Sequence, residues 1–395
     1  MLELMMSGGK VPPPAGKIVE MGMIGNGIAA LTSSGNLYVI TDAYTSGTGA
    51  AVTTWTLLGS DVKEFRCAYR TVVWRTNTER WKMVGVNNYF GSLAAQLITA
   101  TDITSQIDIS AAGLKDWQIS NFTFALLHNG GTLLKLRGTN QYGACGSGNT
   151  LSQKNAWVNV GSPTVGVEIL QVAFPFDVSD TTWVLLSDGR VGGWGFGAGG
   201  QLGGSTNANT ALTFIPSLTN NLNKKIVGGN QALFTLRAHA TMPNYHQIWS
   251  NGFQSSGSIG RGIGANANYP TPAIVAAPNI SIEDSTFAVG SYMAKFLNAD
   301  GKWWCTGNNP PSNAVGSSGD PTWTNGAYKG TFVEMPSATM NPSRNWYMSR
   351  ANVYQSYYLE NGNLYGAGNA TNGLLPGIES GIVRDWTLLD TSSLL

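Results

Sequence analysis

The chain has 395 residues, and its 23 basic and 22 acidic side chains leave a formal net charge of +1. Charged residues make up only 11% of the sequence, whereas glycine contributes 50 residues and Trp, Tyr and Phe contribute 13, 14 and 13. This composition excludes a disordered chain, because the apolar area is ample, and it excludes a coiled coil. The near-neutral charge also argues against nucleic acid as a partner.

The first 16 residues differ in character from the rest of the chain. Leu2, Leu4, Met5 and Met6 form a short apolar patch, which two glycines and a run of three prolines follow. We expect an assembly anchor joined to a stiff spacer, and a disordered terminus without a role is the alternative. The segment lacks the pattern of a signal peptide, and no apolar run in the chain is long enough to predict membrane insertion.

From residue 17 to residue 392 a unit of about 54 residues occurs seven times. Its most regular part is a motif with glycine at the first, sixth and ninth places, and the best copies are residues 138–146 (GTNQYGACG), 195–203 (GFGAGGQLG) and 252–260 (GFQSSGSIG). The sixth residues are Gly143, Gly200 and Gly257. We expect these repeat-turn glycines to occupy equivalent tight turns that need a positive φ.

Every unit also contains a tight turn between two apolar segments, such as Asp188-Gly189 or Asn361-Gly362, and ends in a further strand-like segment. Repeated short strands without a helical period indicate a β-propeller or a β-solenoid, and the unit is too long for a solenoid coil. The sequence therefore predicts an all-β fold, a seven-bladed β-propeller of four-stranded blades over residues 17–392. Residues 1–16 are an N-terminal extension, and residues 393–395 are a C-terminal tail.

The clearest unit reads WVLLSDGRV at residues 183–191, then GGWG at 192–195 and GQLG at 200–203. This pattern resembles the repeat of the regulator of chromosome condensation family, and the resemblance extends over nearly the whole chain after residue 17. It implies a seven-bladed propeller. It does not imply a function, since propellers serve many purposes and nothing here matches a nucleotide-exchange wedge or a basic chromatin-binding tail.

The residues typical of catalysis and metal binding are scarce. The chain has three histidines and three widely spaced cysteines, namely His128, His239, His246, Cys67, Cys145 and Cys305. A G-x-G-x-x-G occurs at residues 195–200, but no helix is predicted after it, as a dinucleotide site requires. We therefore expect no enzymatic activity, no cofactor and no metal site.

Two groups of residues could contact a partner. A run of basic residues in the second unit could contact phosphate or form a solvated blade edge, and its members are Arg66, Arg70, Arg75, Arg80 and Lys82. Loops of several units mix aromatic residues with amides and hydroxyls, which suits sugars and proteins. We predict partner binding by Tyr89, Phe90, Trp323 and Tyr328, the last two in or beside a long loop at 308–329. Packing within their own blade is the alternative.

The uncharged sequence, rich in Gly, Asn, Thr and Ser, is similar in composition to bacteriophage tail and fibre proteins. We therefore expect a non-enzymatic virion structural protein, a phage tail or fibre component made in the host cytoplasm. It would serve host attachment or assembly through its propeller-face loops, with other virion proteins and a host surface glycan or protein as partners. The alternatives are a bacterial protein-interaction scaffold and a glycan-binding, lectin-like propeller.

Overall fold

The computed structural model describes residues 16–25, 27–108, 113–175, 180–204, 207–242, 245–254, 258–262, 266–275, 280–281, 287–290, 293–298, 302–308, 328–334, 345–348, 355–370, 375–378 and 382–394. Leu2, Leu4, Met5, Met6, Gly257 and Trp323 lie outside these residues.

Seven antiparallel sheets follow one another along the chain, and each is a four-stranded blade. Blade one comprises β1 Ile18–Ile24, β2 Gly27–Thr32, β3 Leu37–Thr41 and β4 Val52–Gly59. Blade two comprises β5 Val62–Ala68, β6 Thr71–Thr76, β7 Trp81–Val86 and β8 Gln96–Asp102. Blade three comprises β9 Leu114–Ile119, β10 Thr123–His128, β11 Leu133–Gly138 and β12 Val158–Gly161. Blade four comprises β13 Ile169–Ala173, β14 Thr181–Leu186, β15 Val191–Gly195 and β16 Asn209–Phe214.

Blade five comprises β17 Asn223–Gly228, β18 Ala232–Ala238, β19 Tyr245–Gln254 and β20 Ala267–Ile274, and the short β21 Ile280–Ser281 also pairs with β19. Blade six comprises β22 Phe287–Val289, β23 Met293–Leu297, β24 Trp303–Asn308 and β25 Tyr328–Glu334. Blade seven comprises β26 Asn345–Met348, β27 Gln355–Glu360, β28 Asn363–Asn369 and β29 Ile382–Leu388. The predicted seven-bladed β-propeller is thereby confirmed.

Short 3-10 turns interrupt this pattern at Thr104–Gln106, Asn129–Gly131 and Ser392–Leu394. Within the described part of the chain, no helix has the length and apolar character needed to cross a membrane.

The first strand of each blade lies nearest the propeller axis, since the first strands of most successive blades contact one another. The fourth strand is the outer edge, and most of its side chains are half-buried or exposed. Since each blade is a simple meander, one side of the ring carries the connections from first to second strand and from third to fourth strand. We call this side the loop face. The opposite side carries the turns between second and third strands, and we call it the hairpin face.

The apolar core lies between the blades. Middle strands such as β2, β3, β10 and β14 are buried along their whole length, which explains why they read as continuous apolar runs in the sequence. Trp74 and Phe65 pack against blade one, and Trp117 and Phe124 join Trp81 between blades two and three. Each blade is thus stabilised mainly by its neighbours.

The ring closes by side-chain packing between blades seven and one, without a strand shared between them. Lys17 Nζ donates a hydrogen bond to the Asn361 carbonyl at 3.2 Å, and Trp55 Nε1 donates to the Asp390 carbonyl at 3.2 Å. The sequence places residues 393–395 in a tail outside the propeller. In the structure, however, the last 3-10 turn folds back and buries Leu394 in the apolar cluster of this closure, so the turn belongs to the fold.

Gly143 and Gly200 occupy equivalent turns of blades three and four. Their φ angles are 87° and 86°, and each amide donates to the carbonyl three residues earlier, at 3.1 and 2.9 Å. Each carbonyl in turn accepts from the amide of the glycine three residues later, Gly146 or Gly203. The spacing of the motif glycines therefore reports the geometry of this turn.

Replacing Gly200 by valine will lower the free energy of unfolding by more than about 1 kcal/mol, because the φ is positive and a Cβ there would lie 2.8 Å from the Pro270 backbone. Gly204→Val is the matched control, since a Cβ at Gly204 meets open space. Denaturant unfolding of both variants checks this. Equal stability of the two variants would contradict the assigned turn.

Truncating Leu394 to alanine will lower the free energy of unfolding by about 2 to 4 kcal/mol, because the side chain is buried in the closure. Leu388→Ala, on an outer strand where the side chain is 57% exposed, will change it by no more than about 0.5 kcal/mol. Thermal and denaturant unfolding compare the two variants. A Leu394→Ala protein as stable as Leu388→Ala would show that the last turn adds nothing to closure.

Candidate functional site

Three connections between third and fourth strands are described in full, and they lie on the loop face at residues 42–51, 87–95 and 139–157. Turns on the hairpin face are shorter in most blades. Long loops held on a rigid scaffold are a common place for binding residues. The loop face is therefore the part of the propeller best suited to carry a site.

Buried amide side chains hold two of these loops in fixed conformations. Asn87 accepts hydrogen bonds from the amides of Tyr89 and Phe90, at 3.1 and 2.9 Å, and donates to the Phe90 carbonyl at 2.7 Å. Asn140, at the same place in blade three, accepts from the Cys145 amide at 2.8 Å and donates to the Leu151 carbonyl at 2.8 Å. These bonds satisfy loop backbone groups that no sheet partner reaches.

The same arrangement buries two of the predicted partner-binding residues. Tyr89 and Phe90 have no exposed surface. The Tyr89 hydroxyl donates to the Ser120 carbonyl, and the Phe90 ring packs 5.9 Å from that of Phe124. The prediction that Tyr89 and Phe90 contact a partner is therefore wrong, because the Asn87 turn directs both rings into the core between blades two and three.

The other two predicted residues are Trp323 and Tyr328. Trp323 lies outside the described residues. Tyr328 is the first residue of β25, where its backbone pairs with Asn308. Their contact with a partner stays a prediction.

Several aromatic side chains in the described part of the loop face are neither buried nor fully exposed, and six of them come from five consecutive blades. We call them the aromatic belt: Tyr44, Tyr69, Phe122, Tyr142, Phe196 and Phe253. The rings of Tyr142 and Phe196 lie 5.0 Å apart across the seam between blades three and four. The sequence gives a local signal for two of them, since Phe196 and Phe253 each follow the first glycine of a motif copy.

Arg70 lies on the loop face between two members of the belt. Its guanidinium carbon is 4.4 Å from the ring centre of Tyr44 and 5.2 Å from that of Tyr69. The Tyr69 backbone is tied to both neighbouring blades, since its carbonyl accepts from the Gly25 amide at 2.6 Å and its amide donates to Asn121 Oδ1 at 2.8 Å. A Cβ on Gly25 would lie 2.3 Å from the Tyr69 ring, so this close approach requires glycine. We call Tyr44, Arg70 and Tyr69 the Arg70 stack.

The predicted basic cluster is not a single patch. Arg66 lies on the axial strand of blade two and pairs with Glu20 of blade one and Asp116 of blade three, at 3.6 Å each. Arg75 pairs with Glu64 at 3.0 Å, and Arg80 pairs with Asp102 at 3.3 Å beside the hairpin face. These residues lie on different strands and turns of the blade, which explains the dispersal, and Arg70 reaches the loop face because it lies in the turn between β5 and β6.

The histidines and cysteines do not form a catalytic cluster. His128 and His246 are buried, whereas Nδ1 of His239 accepts from the amides of Thr241 and Met242 at 3.2 Å each. Burial lowers the pKa of His246 to about 4, with help from Lys224 and Lys225. The three cysteines are buried thiols. Across the described residues, no group of three or more His, Cys, Asp or Glu side chains could hold a metal ion.

Asp180 is a buried carboxyl at the seam of blades three and four. The hydroxyl of Thr123 donates to it at 3.1 Å. Burial raises the pKa of Asp180 to about 6, and hydrogen bonding to the carboxyl opposes the rise.

Comparison with known proteins identifies similar folds and nothing more. No family model and no curated protein matches the chain. Among solved structures, yeast RCC1 (Prp20) bound to Kap60 is similar, with a TM-score of 0.68 and 18% identity over 89% of this chain and 82% of that one. The structure of Prp20p from Saccharomyces cerevisiae has a TM-score of 0.69 and 16% identity, and the match covers 97% of this chain and 87% of that one. The structure of human WBSCR16 has a TM-score of 0.64 and 15% identity, and the match covers 86% of this chain and 85% of that one. The chain thus has an RCC1-like propeller fold, as its repeats indicated.

Replacing Asp180 by asparagine will change how stability depends on pH. At pH values between its ordinary pKa and about 6, the carboxyl is ionised in the unfolded chain but protonated in the folded chain. Unfolding therefore releases a proton, and the free energy of unfolding falls as the pH rises. From pH 4 to pH 7 the stability of Asp180→Asn will therefore rise relative to the original chain, by up to about 3 kcal/mol.

Denaturant unfolding of both proteins at several pH values between 4 and 7 measures this difference. Parallel profiles for the two proteins would contradict the raised pKa of Asp180.

Proposed function

We propose that this chain is a non-enzymatic protein-interaction scaffold that binds its partner through the loop face. The observation that carries the proposal is the aromatic belt, a set of half-buried rings on one face of a rigid ring. Aromatic side chains are enriched at protein interfaces and contribute much of the binding energy there. Single exposed leucines on an outer strand are common on protein surfaces and do not indicate an interface.

Preorganisation of the loops supports the same proposal. The bonds of Asn87 and Asn140 hold loop backbone in place before any partner arrives. Asn251 Nδ2 donates to the Gly200 carbonyl at 3.1 Å, and Asn268 Nδ2 donates to the Ala198 carbonyl at 3.0 Å, which ties the loop of blade four to blade five. Binding to such loops costs little conformational entropy.

The solved structures with a similar fold are consistent with a protein partner. Yeast RCC1 (Prp20) is bound to Kap60 in one of them, and the structure of Prp20p was described with its binding properties to Gsp1p and histones. The low identity carries none of these partners over to this chain. These structures support protein interaction in general as the use of such a propeller.

The narrower role in a phage tail, in the virion, stays a prediction from composition, and mass spectrometry of purified virions tests it. The assembly anchor of residues 1–16 and the partner contacts of Trp323 and Tyr328 belong to the same prediction. The alternative to a protein partner on the loop face is a host glycan.

Changing Tyr142 and Phe196 together to serine will reduce partner capture at least about tenfold, because the change removes the two adjacent rings of the belt. The tagged chain is expressed in its source cells, and co-purifying proteins are quantified. The matched control changes Leu57 and Leu388 to serine, since these side chains are 53% and 57% exposed on outer strands away from the loop face.

Melting temperatures of both double variants confirm that the propeller remains folded. The proposal predicts that the control retains the proteins that the belt variant loses. Retention by both variants, or loss by the control alone, would contradict binding through the loop face.

A further inference from the structure

The guanidinium of Arg70 differs from that of every other arginine whose side chain the structure describes, because it forms neither an ion pair nor a hydrogen bond within the described residues. The others are all engaged. Arg66, Arg75, Arg80 and Arg190 pair with carboxylates, and Arg137, Arg237 and Arg261 donate to backbone carbonyls. Arg70 Nε is buried without an acceptor. A guanidinium has five N–H donors, and leaving a buried one unpaired is unfavourable, so such a group calls for an explanation.

The Arg70 stack holds this unpaired cation in a fixed position. Stacking on Tyr44 and Tyr69 orients the guanidinium plane by cation–π attraction. Tyr44 is itself held by a turn in which its amide donates to Asp42 Oδ1 at 3.0 Å, and Tyr69 is bonded to the neighbouring blades. The cation is therefore preorganised for a ligand that comes from outside the chain.

The groups beside the stack are hydrogen-bond donors with unused capacity. The hydroxyls of Tyr44 and Tyr69 make no hydrogen bond within the described residues, and neither does the Asn121 amide nitrogen. Asn88 Nδ2 donates to the Asn121 carbonyl at 2.7 Å and so fixes the backbone of that residue. A cation surrounded by hydroxyl and amide donors is suited to an anion with two oxygens, such as a carboxylate.

We infer that the Arg70 stack binds an Asp or Glu carboxylate on an acidic segment of a partner protein. This inference rests on the proposed function and names the chemistry that the loop face recognises there. The guanidinium forms a bidentate pair with the carboxylate, while Tyr44 and Tyr69 provide apolar walls for the rest of the segment.

The charges of the loop face favour a protein segment over nucleic acid. In the described loops and turns of this face the other cations are already engaged: Lys154 Nζ donates to the Asn87 carbonyl at 3.1 Å, and Arg261 donates to the Ser250 carbonyl at 3.0 Å. Nucleic acid binding usually depends on several phosphate contacts. One unpaired arginine between aromatic rings matches a single carboxylate on a peptide better.

The test uses a displayed library of random dodecapeptides, selected on the immobilised full-length chain. Recovered peptides should be enriched in Asp and Glu. Each of the strongest peptides is then synthesised with a fluorescent label, together with a twin in which its acidic residue is replaced by the matching amide. Fluorescence anisotropy should show that the twin binds at least about tenfold more weakly, a comparison that needs no change to the protein.

Protein variants assign the effect to Arg70. Arg70→Gln should weaken binding of the acidic peptide at least about tenfold and leave binding of the amide twin unchanged. Arg70→Lys should also weaken binding of the acidic peptide, because lysine cannot form the planar stack. Arg80→Gln is the matched control, since Arg80 belongs to the same blade but pairs with Asp102 beside the hairpin face. It should bind like the original chain.

The inference is overturned by failure to recover binding peptides, by recovered peptides without acidic enrichment, or by equal binding of acidic peptide and twin. A labelled 20-nucleotide DNA that binds through Arg70 more tightly than the peptides would overturn it in favour of nucleic acid. If Arg70→Gln retains the captured partner that Tyr142→Ser with Phe196→Ser loses, the inference fails and the proposed function stands. If both variants retain the captured partner, the inference and the proposed function both fail.

Discussion

The structure depends on one constraint, which is that a four-stranded blade has two apolar faces and cannot cover either of them alone. Trp81 and Trp117 lie 4.8 Å apart at one seam, and Phe234 and Phe287 lie 5.1 Å apart at another. Packing each blade on the next leaves two uncovered faces at the chain ends, and only closure of the ring covers them. Three contacts complete this closure. Lys17 and Trp55 of the first repeat bond to the Asn361 and Asp390 carbonyls, and Leu394 packs in the apolar cluster between blades seven and one.

The fixed ring determines what the loops can do. Because the seams position every blade, the loop-face side chains of successive blades have constant separations, and the belt forms without any element dedicated to it. Asn121 and Asp180 show the coupling, since each bonds to a group in the adjacent blade. Side chains placed on different blades therefore form one continuous surface, which is the arrangement that the proposed scaffold function requires.

The sequence predicted the fold more fully than the site. Motif glycines such as Gly143 and Gly200, together with the Asp188-Gly189 turn, report backbone conformations that few other residues adopt, so they locate the blades. Whether an aromatic ring faces a partner depends on loop hydrogen bonds. Asn87 turns Tyr89 inward while Tyr142, two residues after Asn140, stays partly exposed. The repeat pattern is the same at both places, so it could not separate them.

The central claim is that the loop face of the closed ring is the binding surface, and site-specific photo-cross-linking tests it most directly. Benzoylphenylalanine is placed at Tyr142 on the loop face or, in a second protein, at the exposed Leu57 on an outer strand. After irradiation in the source cells, the account predicts a discrete protein cross-link from position 142 and none from position 57. A cross-link from position 57 with none from position 142 would contradict it.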